Sequence, residues 1–100
     1  IDFEKTKSGL NEIELEEFLD HTKNLENIKI RGLMVIPKPR ESLEEQKKIF
    51  RAVKEIYLSL NNKGSNFDSL SMGMTSDYAA AIQEGATMVR IGTGIFGPRK

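Results

Sequence analysis

Two stretches in the last third of the chain leave few options for its fold. Ser69-Leu70-Ser71-Met72-Gly73-Met74-Thr75-Ser76-Asp77 and Met88-Val89-Arg90-Ile91-Gly92-Thr93-Gly94-Ile95-Phe96-Gly97 each read as a short apolar strand running into a turn rich in Gly, Ser and Thr. Asp77 to Glu84 between them has a helical pattern. Strands joined through a helix run parallel with a right-handed crossover, so both turns fall at the same sheet edge. Small residues and hydroxyls at two neighbouring strand ends suit an anion, because backbone N–H groups approach closely only where side chains are small. The first turn of a following helix would add a positive dipole end. The plainer reading of the same residues is helix capping and turn chemistry.

The rest of the chain repeats the alternation. Ile1 to Phe3 reads as the tail of a strand, and Glu4 to Gly9 as a polar loop. Asn11 with Glu14 forms a capping-box pattern ahead of a helix from about Glu12 to Asn24, whose apolar residues include Ile13, Leu15, Phe18, Leu19 and Leu25. His21 lies near that stripe with no second ionisable motif residue beside it, and reads as structural or surface. Ile28 to Ile36 is a buried-strand pattern, with Gly32, Met34 and Ile36 on one face and Arg31, Leu33 and Val35 on the other. Pro37-Lys38-Pro39-Arg40 is a stiff basic loop, which reads as solvated though it could approach a phosphate. Ser42 with Glu45 repeats the capping pattern ahead of a helix from about Leu43 to Asn61. Its stripe is Ile49, Val53, Ile56 and Leu60, with Phe50 and Tyr57 on the flank and a charged, solvated opposite side. The strand Ser69 to Met72, a helix from about Ser76 to Glu84 capped by Gly85, and the strand Thr87 to Ile91 complete the order β-α-β-α-β-α-β. The fold class is α/β with a parallel sheet, its ligand edge at the strand C-termini.

Composition narrows the function classes. One hundred residues with a formal net charge of zero suit one small domain, without the basic excess of a nucleic-acid or anionic-membrane binder. No apolar stretch is long enough to span a bilayer, and no signal peptide is visible. No cysteine and a single His remove disulfides, thiolate catalysis and His-based metal clusters built from this chain alone. The cysteine-free composition fits a cytoplasmic protein. Arg90 is a charge in an otherwise apolar strand, and such a charge needs a partner: a carboxylate or a bound ligand.

S-M-G-M-T-S-D and E-G-A-T-M-V-R-I-G-T-G-I-F-G, with I-R-G-L-M-V-I-P at Ile30 to Pro37 and K-S-G at Lys7 to Gly9, resemble the pyridoxal 5'-phosphate (PLP) homeostasis protein family. That family is a single-domain barrel like the alanine racemase N-terminal domain, and the resemblance runs along almost the whole chain in order. It implies that residues 1 to 100 are the C-terminal half of a PLP-binding (β/α)8 TIM barrel, a cofactor carrier rather than an enzyme. It also implies a role for each candidate residue. Arg90 faces the pyridine nitrogen, and Thr75, Ser76, Gly92 and Thr93 hold the phosphate. The family has serine where Thr75 stands and often an acidic residue where Ser76 stands, which puts the contact of Ser76 in doubt. Met34, and less specifically Met72, would flank the ring or serve as ordinary core. The lysine that anchors the aldehyde belongs to a strand end that no segment here matches; Lys5, Lys7, Lys23 and Lys29 do not stand in that motif.

Two other functions compete. A PLP-dependent racemase would need a second domain supplying a tyrosine base, and Gly97-Pro98-Arg99-Lys100 gives no start of one. An unrelated phosphate-sugar barrel would want paired acid/base residues at strand ends, and none stand there. Four parallel strands would make about half a barrel. Such an open half is expected to pair with the missing N-terminal half, or to self-associate through its sheet edges, because unpaired edges and an uncovered lumen are unstable. Met34, Met72 and Met88 are the residues expected to face that lumen.

Overall fold

A computed structural model describes residues 1, 3 and 9–98. Helix α1 is Glu12–Thr22, strand β1 Gly32–Met34, α2 Leu43–Asn62, β2 Ser69–Met74, α3 Tyr78–Gln83, β3 Met88–Arg90 and α4 Thr93–Phe96. The strands form one parallel sheet in the order β1-β2-β3. Helices alternate with these strands as the sequence predicts, with three paired strands among the described residues where four were expected in the chain. Of the first proposed strand, Ile1 and Phe3 are not in a strand and Asp2 lies outside the described residues. Most of the Lys7–Gly9 motif also lies outside them.

Local chemistry sets the boundaries. Asn11 and Glu14 exchange both bonds of a capping box, 2.9 and 3.1 Å, at the start of α1. Ser42 Oγ accepts from the Glu45 N–H at 3.1 Å and starts α2. Asp77, not Ser76, precedes α3; its carboxylate instead accepts from the Met74 N–H at 2.8 Å and closes the turn after β2. Gly85, at φ +98°, ends α3, with the Ala86 N–H bonded to the Ala81 carbonyl at 3.0 Å. The strand predicted over 28–36 pairs only over Gly32–Met34, and α1 stops at Thr22 rather than Asn24.

One face of the sheet carries the core. Leu33, Val35, Leu70 and Met72 cluster with Phe50, Val53, Ile56, Tyr57 and Leu60 of α2 and Ala80 and Ala81 of α3. The α2 stripe is therefore centred differently from its prediction, since Phe50 is 0% exposed and Ile49 only half-buried. The charged side of α2 also does more than solvate the helix. Arg51 reaches Glu84 at the end of α3, Nε to Oε1 3.0 Å, which ties the two helices together and pulls the Glu84 carboxyl below its usual range. The apolar residues predicted for the α1 stripe largely face out: Ile13, Phe18 and Leu25 are exposed and Leu15 alone is buried. His21 is exposed, as a surface histidine.

The opposite face is open. Met34 and Met88 are each 51% exposed there, flanking Ser71 in register on β2. Met72 was expected on this face and is instead fully buried among the helices. The expected side exposure holds for β1, where Leu33 and Val35 are buried and Met34 and Ile36 are not. In β2 the alternation breaks at Gly73, where φ is +106° and the register shifts between Ser71 and Met74. A Cβ at Gly73 would lie 2.7 Å from the Ala81 Cβ, so glycine is required both for the backbone and for the fit against α3.

Candidate functional site

The turns after β2 and β3 meet at the C-terminal edge of the sheet. Thr75 Oγ1 accepts from the Gly94 N–H at 3.0 Å and from the Thr93 hydroxyl at 3.2 Å. Gly94 is what lets them close: a Cβ there would sit 3.0 Å from the Thr75 methyl and 3.0 Å from Ile91 Cγ2. Gly92 has the opposite surroundings, since a Cβ added there would meet nothing within 4 Å. Its backbone faces open space.

That space is a cavity of about 690 Å³ lined by Pro39, Met74, Thr75, Ser76, Gly92, Thr93, Phe96 and Gly97. Four of the predicted residues, Thr75, Ser76, Gly92 and Thr93, therefore come together on one wall. The helix dipoles proposed for this place contribute little. Helix α3 begins only at Tyr78, beyond the turn, and α4 is a single turn of four residues. Individual N–H and O–H donors do the polar work instead.

The donor arithmetic at the hydroxyl pair is fixed. Thr75 and Thr93 bring two hydroxyl protons and share one mutual bond, while the Gly94 N–H occupies a lone pair on Thr75 Oγ1. Whichever way the mutual bond points, one proton is left to donate outward. The wall can thus satisfy an acceptor, as a phosphate oxygen is.

Arg90 stands beside the cavity rather than in its wall, in register with Met74. Its side chain crosses β2 and donates from Nη2 to the Val35 carbonyl beyond β1 at 3.0 Å. The carboxylate partner considered from sequence is not there: no ion pair joins Arg90 to an acid among the described residues. Its Nε is buried without a hydrogen-bond partner. A guanidinium stays protonated at any ordinary pH, so a charge with a buried idle donor lies against the open face. Met34 sits away from the cavity, at the level of Ser71 and Met88 rather than of Arg90.

Sequence reasoning missed Gly94, Pro39, Met74 and the 84% exposed Phe96. Gly94 had a signal in the Gly-Thr-Gly run; Phe96 had none, because a four-residue helix leaves too short a pattern to read. Pro39 belongs to the loop judged solvated, which in fact borders the cavity. No group of three or more His, Cys, Asp or Glu able to hold a metal occurs among the described residues.

Comparison with known proteins places this edge in context. The pyridoxal phosphate homeostasis protein of Haemophilus influenzae is 45% identical over 98 residues, covering 96% of this chain and 41% of that protein. The protein of the same name from Aquifex aeolicus is 43% identical, covering 97% and 43%. This chain thus spans about two-fifths of the length of these relatives. PipY of Synechococcus elongatus, solved with PLP bound, matches with a TM-score of 0.87 at 31% identity, covering 97% of this chain and 46% of that one. The fold is part of a TIM-barrel-like architecture. Residues 1–100 match the family described as alanine racemase, N-terminal domain, and the chain belongs to that family.

Proposed function

We propose that this chain supplies the phosphate and ring-nitrogen side of a PLP site, in a protein that carries PLP for intracellular cofactor homeostasis. The observation that carries the proposal is Arg90, whose charge lies on the open sheet face with a buried, idle Nε and, among the described residues, no acid to answer it. A pyridine nitrogen is an acceptor of the right kind. The outward hydroxyl proton at Thr75 and Thr93, and the open backbone at Gly92, fit a phosphate at the neighbouring wall.

The residues then divide the work. Thr75, Thr93 and Gly92 hold the phosphate end; Ser76 lines the same wall. Arg90 donates to the ring nitrogen and, because guanidinium keeps its protons, leaves that nitrogen unprotonated. When bound, PLP supplies an aldehyde that captures amines and a ring that withdraws electrons from the captured group. An arginine at the nitrogen weakens that withdrawal, which favours carriage over carbanion chemistry. Racemase-type activity is the second reading. The relatives' names and the PLP-bound neighbour support the first.

Residues 1 to 100 form the C-terminal half of one barrel domain in this proposal. Its support is physical: the cavity lies at the ends of β2 and β3, as phosphate sites in barrels lie after the last two strands. The half-exposed Met34 and Met88 mark a face that the other half would cover, and the anchoring lysine would come from there. The test is Arg90→Ala in the full-length protein. Loss of one charged hydrogen bond should weaken PLP binding about ten- to hundredfold and shift the cofactor's absorption band, with the fold intact by circular dichroism. Unchanged affinity and an unchanged spectrum would overturn the assignment.

A further inference from the structure

Gln46, the fourth residue of α2, is half-buried and bonds two loops near the cavity. Its Nε2 donates to the Arg40 carbonyl at 2.7 Å and to the Ser76 carbonyl at 3.3 Å. Both partners are acceptors, which fixes the amide orientation: the NH2 must face them, and both of its protons are used. The two carbonyls belong to different loops. One follows Pro39, which lines the cavity; the other is in the turn that carries Thr75.

We propose that Gln46 is a positioning residue that couples these loops, so that a phosphate held at the Thr75–Ser76 turn also fixes the Pro37–Arg40 loop across the cavity. This role rests on the phosphate reading above. No backbone hydrogen bond joins residues 37 and 39–41 to residues 75–77 among the described residues. A coupling of this kind is reciprocal, so loosening the loop must weaken the anion, and binding the anion must quiet the loop. Glutamine suits the task because no other uncharged side chain of its length offers two N–H donors from one atom.

The experiment uses the full-length protein with wild-type, Gln46→Leu and Gln46→Glu chains, and reads backbone order by 15N relaxation at Arg40–Glu41 and at Ser76–Asp77. In the ligand-free wild type both segments are ordered, and Gln46→Leu loosens both. Adding PLP to the wild type orders both segments further; in Gln46→Leu it orders Ser76–Asp77 alone. PLP affinity falls about three- to tenfold in Gln46→Leu, the worth of one or two neutral hydrogen bonds. Gln46→Glu adds a readout that lost packing would not move. Its carboxylate faces two carbonyls and binds PLP more weakly than the leucine variant at neutral pH. Relative to wild type at each pH it recovers as the carboxyl gains a proton and becomes a donor. Parallel ordering of both segments by PLP in Gln46→Leu, or a pH-independent ratio for Gln46→Glu, would overturn the coupling. A wild type that binds PLP while Gln46→Leu matches it would sink Gln46 and leave the phosphate site standing. A wild type with no affinity for PLP would sink both.

Discussion

The two faces of the sheet have been put to different uses by residues of the same kind. Met72 and Met34 are methionines in neighbouring strands, yet Met72 is fully buried against α2 and α3 while Met34 is half exposed. On the helix face, side chains interlock: Phe50, Leu70 and Met72 are all 0% exposed. On the open face stand Met34, Ser71, Met88 and Arg90, with a charge that among the described residues finds a carbonyl and no acid. A face that packs against its own helices needs only volume and shape. The other face keeps exposed thioethers beside an arginine, a composition that volume and shape alone do not explain.

The largest effect should come from emptying the helix face. Leu70→Ala should cost about 2–5 kcal/mol, read by urea denaturation. Met88→Ala, across the same sheet, should cost about 2 kcal/mol in the full-length protein if the rest of a barrel covers it. A loss of about 0.5 kcal/mol or less there, the value for an exposed side chain, would contradict the half-barrel proposal.

How much of this was readable beforehand follows from where the information sits. Helix starts were legible at Asn11 and Ser42 because a cap is a local bond between residues three apart. The side alternation was legible in β1, where the period of two runs unbroken. In β2 it holds as far as Met72, which register places with Leu70 and Leu33 on the core side rather than with Met34; the bulge at Gly73 then turns Met74 off that side. The meeting of Thr75, Ser76, Gly92 and Thr93 was legible, since parallel connection alone brings both turns to one edge. The contacts of Arg90 with Val35 and of Gln46 with Arg40 and Ser76 were not, because side chains that cross strands or reach between loops leave no periodic trace. The exposed stripe of α1 misled for a related reason: periodicity shows that a face is apolar, not what lies opposite it.

A next smaller effect tests the bulge that separates the faces. Gly73→Ala forces a side chain into a left-handed conformation and against the Ala81 methyl. It should cost about 1–3 kcal/mol. Because Arg90 pairs with Met74 just beyond the shift, it should also move the absorption band of bound PLP. Destabilisation without any spectral change would mean that the bulge serves packing alone.

The smallest effect lies off both faces, where Arg31 and Asp68 pair at the start of the strands, Nη2 to Oδ2 2.6 Å. The Arg31 guanidinium, with help from the Ser69 hydroxyl, lowers the Asp68 carboxyl from 3.8 to about 2. A carboxyl lowered on folding adds stability above its unfolded value, and that stability is lost as pH falls from about 4 toward 2. Both side chains are largely exposed, so the contribution is slight and screened by salt. Asp68→Asn should flatten this part of the stability–pH curve; a slope identical to wild type would show the pair to be idle.

The most direct measurement compares two ligands on one variant. In the full-length protein, Thr75→Ala with Thr93→Ala removes the hydroxyl pair, and PLP and pyridoxal affinities are measured side by side. Only PLP carries a phosphate. The affinity for PLP should fall about ten- to hundredfold, the loss of an outward donor to a charged group, while pyridoxal binding stays within about threefold. Equal losses for both ligands would mean damaged packing, and would contradict a phosphate held between the turns after β2 and β3.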